Sequence, residues 1–249
     1  MGISINIYNE SSLHNTLKTY YAVSRDGNTE IKLDGYIYDV VTKDNQVYEI
    51  QTKNLSKLLP KIMTALENGR KITVVHPIII SKKIFLYDED GKTLLSKRKS
   101  PRKETLYSIF DELTGIYPVL LNKNFTLELL EINMIEERKK ACEPIQSKNN
   151  RRRFKRDWIK TNKRLEEIIS TRHFKTEKDY LSLLPASLPK EFCAKDLSAA
   201  FRLEQTFPPE AAKKAHLIIW VYSRMGIIEY LENRNRNRYY KTSFGNHPV

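Results

Sequence analysis

Apolar positions recur at two different periods along this chain, and the switches between them mark out its elements. After an apolar lead at residues 3–8, Leu13, Leu17 and Tyr20 fall three or four apart. That is the spacing of one helical face, so a helix capped by Asn9 or Ser11 is expected to run to about Tyr21. Glu10, His14 and Lys18 align on its neighbouring face. Arg25-Asp26-Gly27-Asn28 reads as a turn, followed by a strand at residues 29–33. Residues 36–53 read as two strands about the turn Lys43-Asp44-Asn45-Gln46, the pattern of a hairpin. Leu58, Leu59, Ile62, Met63 and Leu66 return to helical spacing, behind Asn54 or Ser56 as caps and with Pro60 in the first turn. Asn68-Gly69 ends that helix. The unbroken apolar run at residues 72–80 suits a strand buried on both faces, and residues 84–87 suggest another short one.

The second half predicts a helix at residues 106–113, a strand at 125–132 and a polar linker at 139–150 containing Pro144. Residues 158–169 are expected to be helical. Short amphipathic helices follow at 177–184, closed by Pro185, and at 194–201. A third begins at Pro208-Pro209 and stops at Gly226, and residues 227–231 and 239–241 then pair as a hairpin. Three helices and a basic hairpin make the order of a winged helix-turn-helix. The expected division is residues 1–138 for an N-terminal domain, 139–157 for a basic linker and 158–249 for the winged helix.

Charge changes this picture from a fold to a partner. The 249 residues carry a formal net charge of +13 at a pI of about 9.5, which points to a polyanion. One basic block holds Lys97, Arg98, Arg102 and Lys103; another holds Arg151, Arg152, Arg153, Lys155 and Arg156 and leads to Trp158. On the third C-terminal helix Lys213, Lys214 and His216 would meet nucleic acid, with Arg234, Arg236 and Arg238 on the wing. Two cysteines exclude a disulfide framework or a four-cysteine zinc site. No apolar run approaches the roughly 18 residues needed to cross a bilayer, and the N-terminus has no apolar signal core, so a cytoplasmic protein with no membrane partner is expected.

The candidate chemistry lies in the hairpin. A turn centred on Asp44 sets Asp39 across from Glu49, and Gln51 shares the face of Glu49. Opposed like charges destabilise a hairpin unless a cation neutralises them, and hard cations such as Mg²⁺ take carboxylate oxygens. Asp34 has the opposite strand parity unless Gly35 introduces a bulge. Glycine-rich phosphate loops, nucleophile elbows and paired-histidine metal spacings are absent from the sequence. His76, at the end of an apolar strand before Pro77, reads as structural.

The predicted order of helix, three strands, helix and strand, with Asp39, Glu49-Ile50-Gln51 and Lys53, resembles the restriction-endonuclease-like, or PD-(D/E)XK, nucleases. The motif's lysine slot holds Gln51, and Lys53 is the substitute donor nearest in sequence. Asn9-Glu10, Leu13-His14, Lys18, Asp34-Gly35-Tyr36, Glu49-Ile50-Gln51-Thr52, Val75-His76-Pro77-Ile78 and Arg98-Lys99-Ser100-Pro101 are also similar to a bacterial family pairing such a domain with a C-terminal helix-turn-helix. The resemblance implies an α/β (α+β) nuclease domain with a mixed sheet flanked by helices. It implies Mg²⁺ or Mn²⁺ held by Asp39, Glu49 and the Ile50 carbonyl, with Glu10 reaching the site from the first helix and His14 and Lys18 nearer the phosphate. Hydrolysis of double-stranded DNA is the implied activity, and cutting both strands would call for a homodimer. The alternative is a non-catalytic DNA-binding protein whose nuclease fold has decayed at Gln51.

Overall fold

The computed structural model describes residues 12–146 and 153–243. Helix α1 (Ser12–Ser24) precedes the antiparallel strands β1 (Gly27–Leu33), β2 (Tyr36–Thr42) and β3 (Val47–Ile50). A short 3-10 turn at Leu55–Leu58 runs into α2 (Leu59–Glu67), with Pro60 in its first turn where no N–H is required. Strand β4 (Ile72–Tyr87) lies parallel to β3, the arrangement a crossover helix permits. Then come β5 (Leu94–Lys99), α3 (Phe110–Leu113) and the long pair β6 (Phe125–Ile145) and β7 (Arg156–Phe174). The C-terminal part contains α4 (Glu177–Leu181), β8 (Glu191–Phe192), α5 (Ala194–Leu203), α6 (Pro209–Lys213), α7 (Ala215–Met225), β9 (Ile228–Arg234) and β10 (Asn237–Thr242).

The result is a mixed α/β architecture. Seven strands form one sheet in the order β1-β2-β3-β4-β6-β7, with β5 pairing the far half of β4, and β8-β10-β9 form a small second sheet. Strands β3, β4 and β6 run parallel, and the remaining neighbours are antiparallel. Leu13, Leu17 and Tyr21 of α1 cover one face against Val40, Ile50, Val75 and Ile132. The other face carries α2, α3 and the C-terminal helices in one continuous core. There Phe110 packs on Tyr222 at 5.5 Å between ring centroids, and Tyr107 meets Phe201 at 5.3 Å. The Tyr107 hydroxyl donates to the Leu183 carbonyl at 2.7 Å, so its polar end is satisfied within the core.

Four expectations are corrected by this arrangement. Residues 158–169 are not helical: they lie in β7, paired with β6 along its length. Four register shifts in that pairing each interrupt strict alternation, and the exposed side of an edge strand carries charge, so the period-2 signal was blurred into a helical one. The polar stretch from Lys139 is the outer end of β6 through Ile145, rather than a linker. The strand expected at residues 84–87 is the continuation of β4. The long third C-terminal helix is divided at Lys214 into α6 and α7.

Candidate functional site

The local irregularity that makes the site begins in β1. Glu30 adopts a left-handed backbone (φ 57°), and the β1–β2 ladder passes from Thr29–Val40 to Ile31–Tyr38 without pairing Glu30 to Asp39. The β2–β3 ladder likewise stops at Val40–Tyr48. One step further, the side chains replace the ladder. The Asp39 N–H donates to Glu49 Oε1 at 3.0 Å, and the Ile50 N–H donates to Asp39 Oδ2 at 2.8 Å. Asp39 and Glu49 are therefore brought together across the hairpin.

Lys61 and His14 approach this pair from opposite faces of the sheet. Lys61 of α2 places Nζ 2.5 Å from Glu49 Oε1 and donates to the Ile37 carbonyl at 2.5 Å, with the Tyr38 ring 4.8 Å away. His14 of α1 places Nε2 3.4 Å from Asp39 Oδ2. Burial pushes the Glu49 carboxyl up to about 7, the charge of Asp39 adds to this, and Lys61 offsets part of it. Burial also acts upward on Asp39, but the hydrogen bond and charge of His14, the Ile50 N–H and the charge of Lys61 outweigh it, holding Asp39 below the usual range. The two acids are thus driven apart in acidity, as in paired carboxylates that share one excess of negative charge.

A hard cation requires oxygen donors, and the pair has them to give. Among the described residues, hydrogen bonds and ion pairs reach Asp39 through Oδ2 and Glu49 through Oε1. Their second oxygens, Asp39 Oδ1 and Glu49 Oε2, remain for a ligand, and such oxygens fit Mg²⁺ or Mn²⁺. No three His, Cys, Asp or Glu side chains are grouped as a metal site among the described residues, so any further ligand would be a carbonyl, water or Glu10. Glu10, like Arg151 and Arg152, lies outside the described residues.

Other candidates fall elsewhere. Gln51 turns its amide back onto the following loop, donating to the Lys53 carbonyl at 2.5 Å and more weakly to Asn54. Lys53 is exposed and lines a separate basic cavity. Lys18 is buried and pairs with Glu30 at 2.7 Å, so it supports the irregular strand rather than facing a phosphate. Asp34 pairs with Arg70 at the β1–β2 turn, a structural role. His76 is buried in β4 and donates through Nδ1 to the Gln51 carbonyl at 2.7 Å; burial holds its pKa below the ordinary value. The residue that pattern reading missed is Lys61. Its only sequence signal is a cation just after Pro60, off the apolar stripe of α2, where a solvent-facing lysine is ordinary.

A second polar surface lies between α7 and the β9–β10 hairpin. His216, Trp220 and Arg224 form one stripe of α7 at four-residue spacing, facing Arg236 and Arg238 across a groove of about 970 Å³. Lys195 also lines it. Lys213 is exposed at the end of α6, but Lys214 pairs with Asp111 of α3 and is a contact between the two parts of the chain. Arg234 is likewise committed, at 2.6 Å to each of Glu191 and Glu232. Lys97 and Arg98 sit on exposed β5, Arg102 follows it, and Arg153 and Lys155 are exposed just before β7.

These sites fall on both sides of a boundary drawn by sequence comparison. A family model described as Domain of unknown function (DUF8091) matches residues 11–175. The chain belongs to this family. The DUF8091 region ends one residue after β7, so it takes in the whole seven-stranded sheet and the Asp39–Glu49 pair, and leaves the α7 groove outside. A relative from Treponema pallidum (strain Nichols), an uncharacterized protein, is 28% identical over 200 residues, covering 79% of this chain and 74% of its own length. No solved structure matches.

Proposed function

We propose that this protein is a metal-dependent endonuclease acting on double-stranded DNA, with a PD-(D/E)XK-like catalytic sheet and a C-terminal winged helix that engages the duplex. The observation that carries the reading is the juxtaposed Asp39–Glu49 pair, two acids with free oxygens set where the β2–β3 ladder opens beside a half-buried lysine. The element order supports it: one helix, three antiparallel strands, a crossover helix and a parallel strand surround the pair. The C-terminal order of helix, short strand, helices and hairpin, with β8 joining the hairpin, is that of a winged helix.

In this account Asp39, Glu49 and the Ile50 carbonyl hold Mg²⁺ or Mn²⁺. Bound there, the cation supplies Lewis-acid polarisation of the scissile phosphodiester and neutralises charge that develops on it. Glu49 gives up its proton to become a ligand, so binding strengthens as pH rises toward 7. Lys61 takes the place of the absent motif lysine: it fixes the Glu49 carboxylate and keeps a positive charge beside the reacting group. His14 orients Asp39 from the opposite face. The groove cations Arg224, Arg236 and Arg238 locate the duplex by its phosphates.

The test is a paired substitution read in a plasmid-nicking assay with Mg²⁺ or Mn²⁺. Lys61→Ala is expected to lower the rate by about 10²-fold or more, the scale of removing one electrostatic stabiliser of the transition state, with plasmid affinity changed little. Lys53→Ala is expected to leave the nicking rate within about twofold, since no observed contact ties it to the acids. A rate governed by Lys53 and indifferent to Lys61 overturns this assignment.

A further inference from the structure

Beyond the acidic pair, the sheet carries a pocket of about 250 Å³ whose lining is dominated by lysine and arginine side chains. Its frame is set by strand register: Ile84 of β4 pairs with Glu136 of β6, which pairs with Lys163 of β7, and Arg138 pairs with Lys160 two residues along β6. Glu136 is buried and already saturated, bound by Lys82 at 3.4 Å, Lys160 at 3.0 Å and Arg138. Those charges hold its carboxyl down at about 2 although burial acts upward.

Four further cations line the pocket and pair with no carboxylate among the described residues: Lys53 and Arg102 from loops, and Arg156 and Lys163 from β7. Glu104, the other acid there, accepts the Ile79 N–H on Oε2 at 2.9 Å and offsets only part of the positive charge. Burial lowers the Lys163 pKa, and the charges of Lys160, Lys53 and Lys82 lower it further. Concentrating like charges this way costs stability unless an anion joins them. Trp158 carries guanidiniums rather than an open face: Arg138 stands 3.5 Å and Arg156 4.5 Å from its ring centroid. The Arg156 fork is thereby held in place for an anion with several oxygens, while the Arg138 fork is already engaged by Glu136.

The pocket adjoins the acidic pair through α1. The Ser12 hydroxyl donates to the Lys163 carbonyl at 2.6 Å, while His14, two residues along, meets Asp39. Ser12 and His14 are separated by about 3 Å of rise along α1, so the one helix ties the β7 side of the pocket to Asp39. An internal phosphodiester brings one negative charge, whereas a phosphomonoester brings roughly 1.5 to 2 at neutral pH with three acceptor oxygens.

We propose that this pocket binds the terminal phosphate of a nucleic-acid strand and so places a strand end beside the Asp39–Glu49 centre. The inference rests on the nuclease reading for its substrate class, but binding can be measured without cleavage, so the two fail separately. In a Trp220→Phe background Trp158 is the sole tryptophan. Single-stranded oligodeoxynucleotides with a 5′-phosphate, a 3′-phosphate or two hydroxyl ends are titrated in EDTA, reading Trp158 emission and anisotropy. One phosphorylated end is expected to bind at least about tenfold tighter than the hydroxyl-ended strand and to change Trp158 emission. Replacing Arg156 and Lys163 together with Gln removes that preference. Arg102→Gln, on an exposed loop that leaves the strands intact, reduces it in smaller measure and separates binding from folding. Equal binding of all three strands overturns the proposal, as does a preference that survives these substitutions. Inorganic phosphate competing as well as the phosphorylated strand overturns the assignment to a strand end.

Discussion

Glu49→Gln isolates the electrostatic heart of the site. The Glu49 side chain is 4% exposed, lies beside Asp39, and has its pKa raised from about 4.5 to about 7. A carboxyl raised in the folded state binds its proton more tightly there than in the unfolded chain. The stability it contributes is fully present below about 4.5 and is lost as pH rises through about 7. A shift of this size corresponds to roughly 3 kcal/mol across that window at about 1.4 kcal/mol per unit. Gln keeps an acceptor for the Asp39 N–H and does not titrate. Urea denaturation of both proteins between pH 4.5 and 7.5 should therefore show the wild type losing up to about 3 kcal/mol relative to Glu49→Gln. The comparison cancels His76, whose lowered pKa works in the opposite direction: it contributes stability that is lost as pH falls. At pH 7.5, Mg²⁺ at a hundred times its Kd should return about 2.7 kcal/mol to the wild type alone. Parallel stability curves for the two proteins would show that Glu49 is an ordinary carboxylate and refute the reasoning.

Replacing Arg224, Arg236 and Arg238 with Gln should weaken duplex binding and flatten its log–log salt dependence, in fluorescence-anisotropy titrations, by about 0.9 for each phosphate that is no longer neutralised. Arg234→Gln, in a residue already paired with Glu191 and Glu232, should leave that slope unchanged. Phe110→Ala, beneath Tyr222 and Tyr107 in the shared core, should cost about 3–5 kcal/mol. Calorimetry should then show the large sheet and the C-terminal helices melting in one transition at lower temperature, where two independent transitions would deny the shared core.

The hairpin was readable because its turn and two strands fix a register that residue spacing alone specifies. Asp39 faces Glu49 because Val41 pairs Val47 and Val40 pairs Tyr48. The parallel β4 was visible for a related reason: strands covered on both faces leave an unbroken apolar run. Strand β7 was misread because bulges broke its alternation and its outer side is charged. Lys61, Lys163 and Arg138 were hidden for a different reason. Their roles depend on which long side chain crosses from another element to a buried acid or pocket, and no local period records that. The commitments of Lys214 to Asp111 and Arg234 to Glu191 were likewise invisible, since each joins residues distant in sequence.

If Asp39 and Glu49 hold the metal of a nuclease, cleavage of supercoiled plasmid depends on the cation and on both acids together. Wild-type protein, Asp39→Asn and Glu49→Gln are incubated with plasmid in Mg²⁺, in Mn²⁺ and in EDTA, with duplex binding measured in parallel. Nicking by the wild type is expected in either metal and not in EDTA, and both variants are expected to lose nicking while keeping duplex binding. A wild type that binds DNA yet cuts nothing in either metal, or variants that cut as well as it does, would contradict the account.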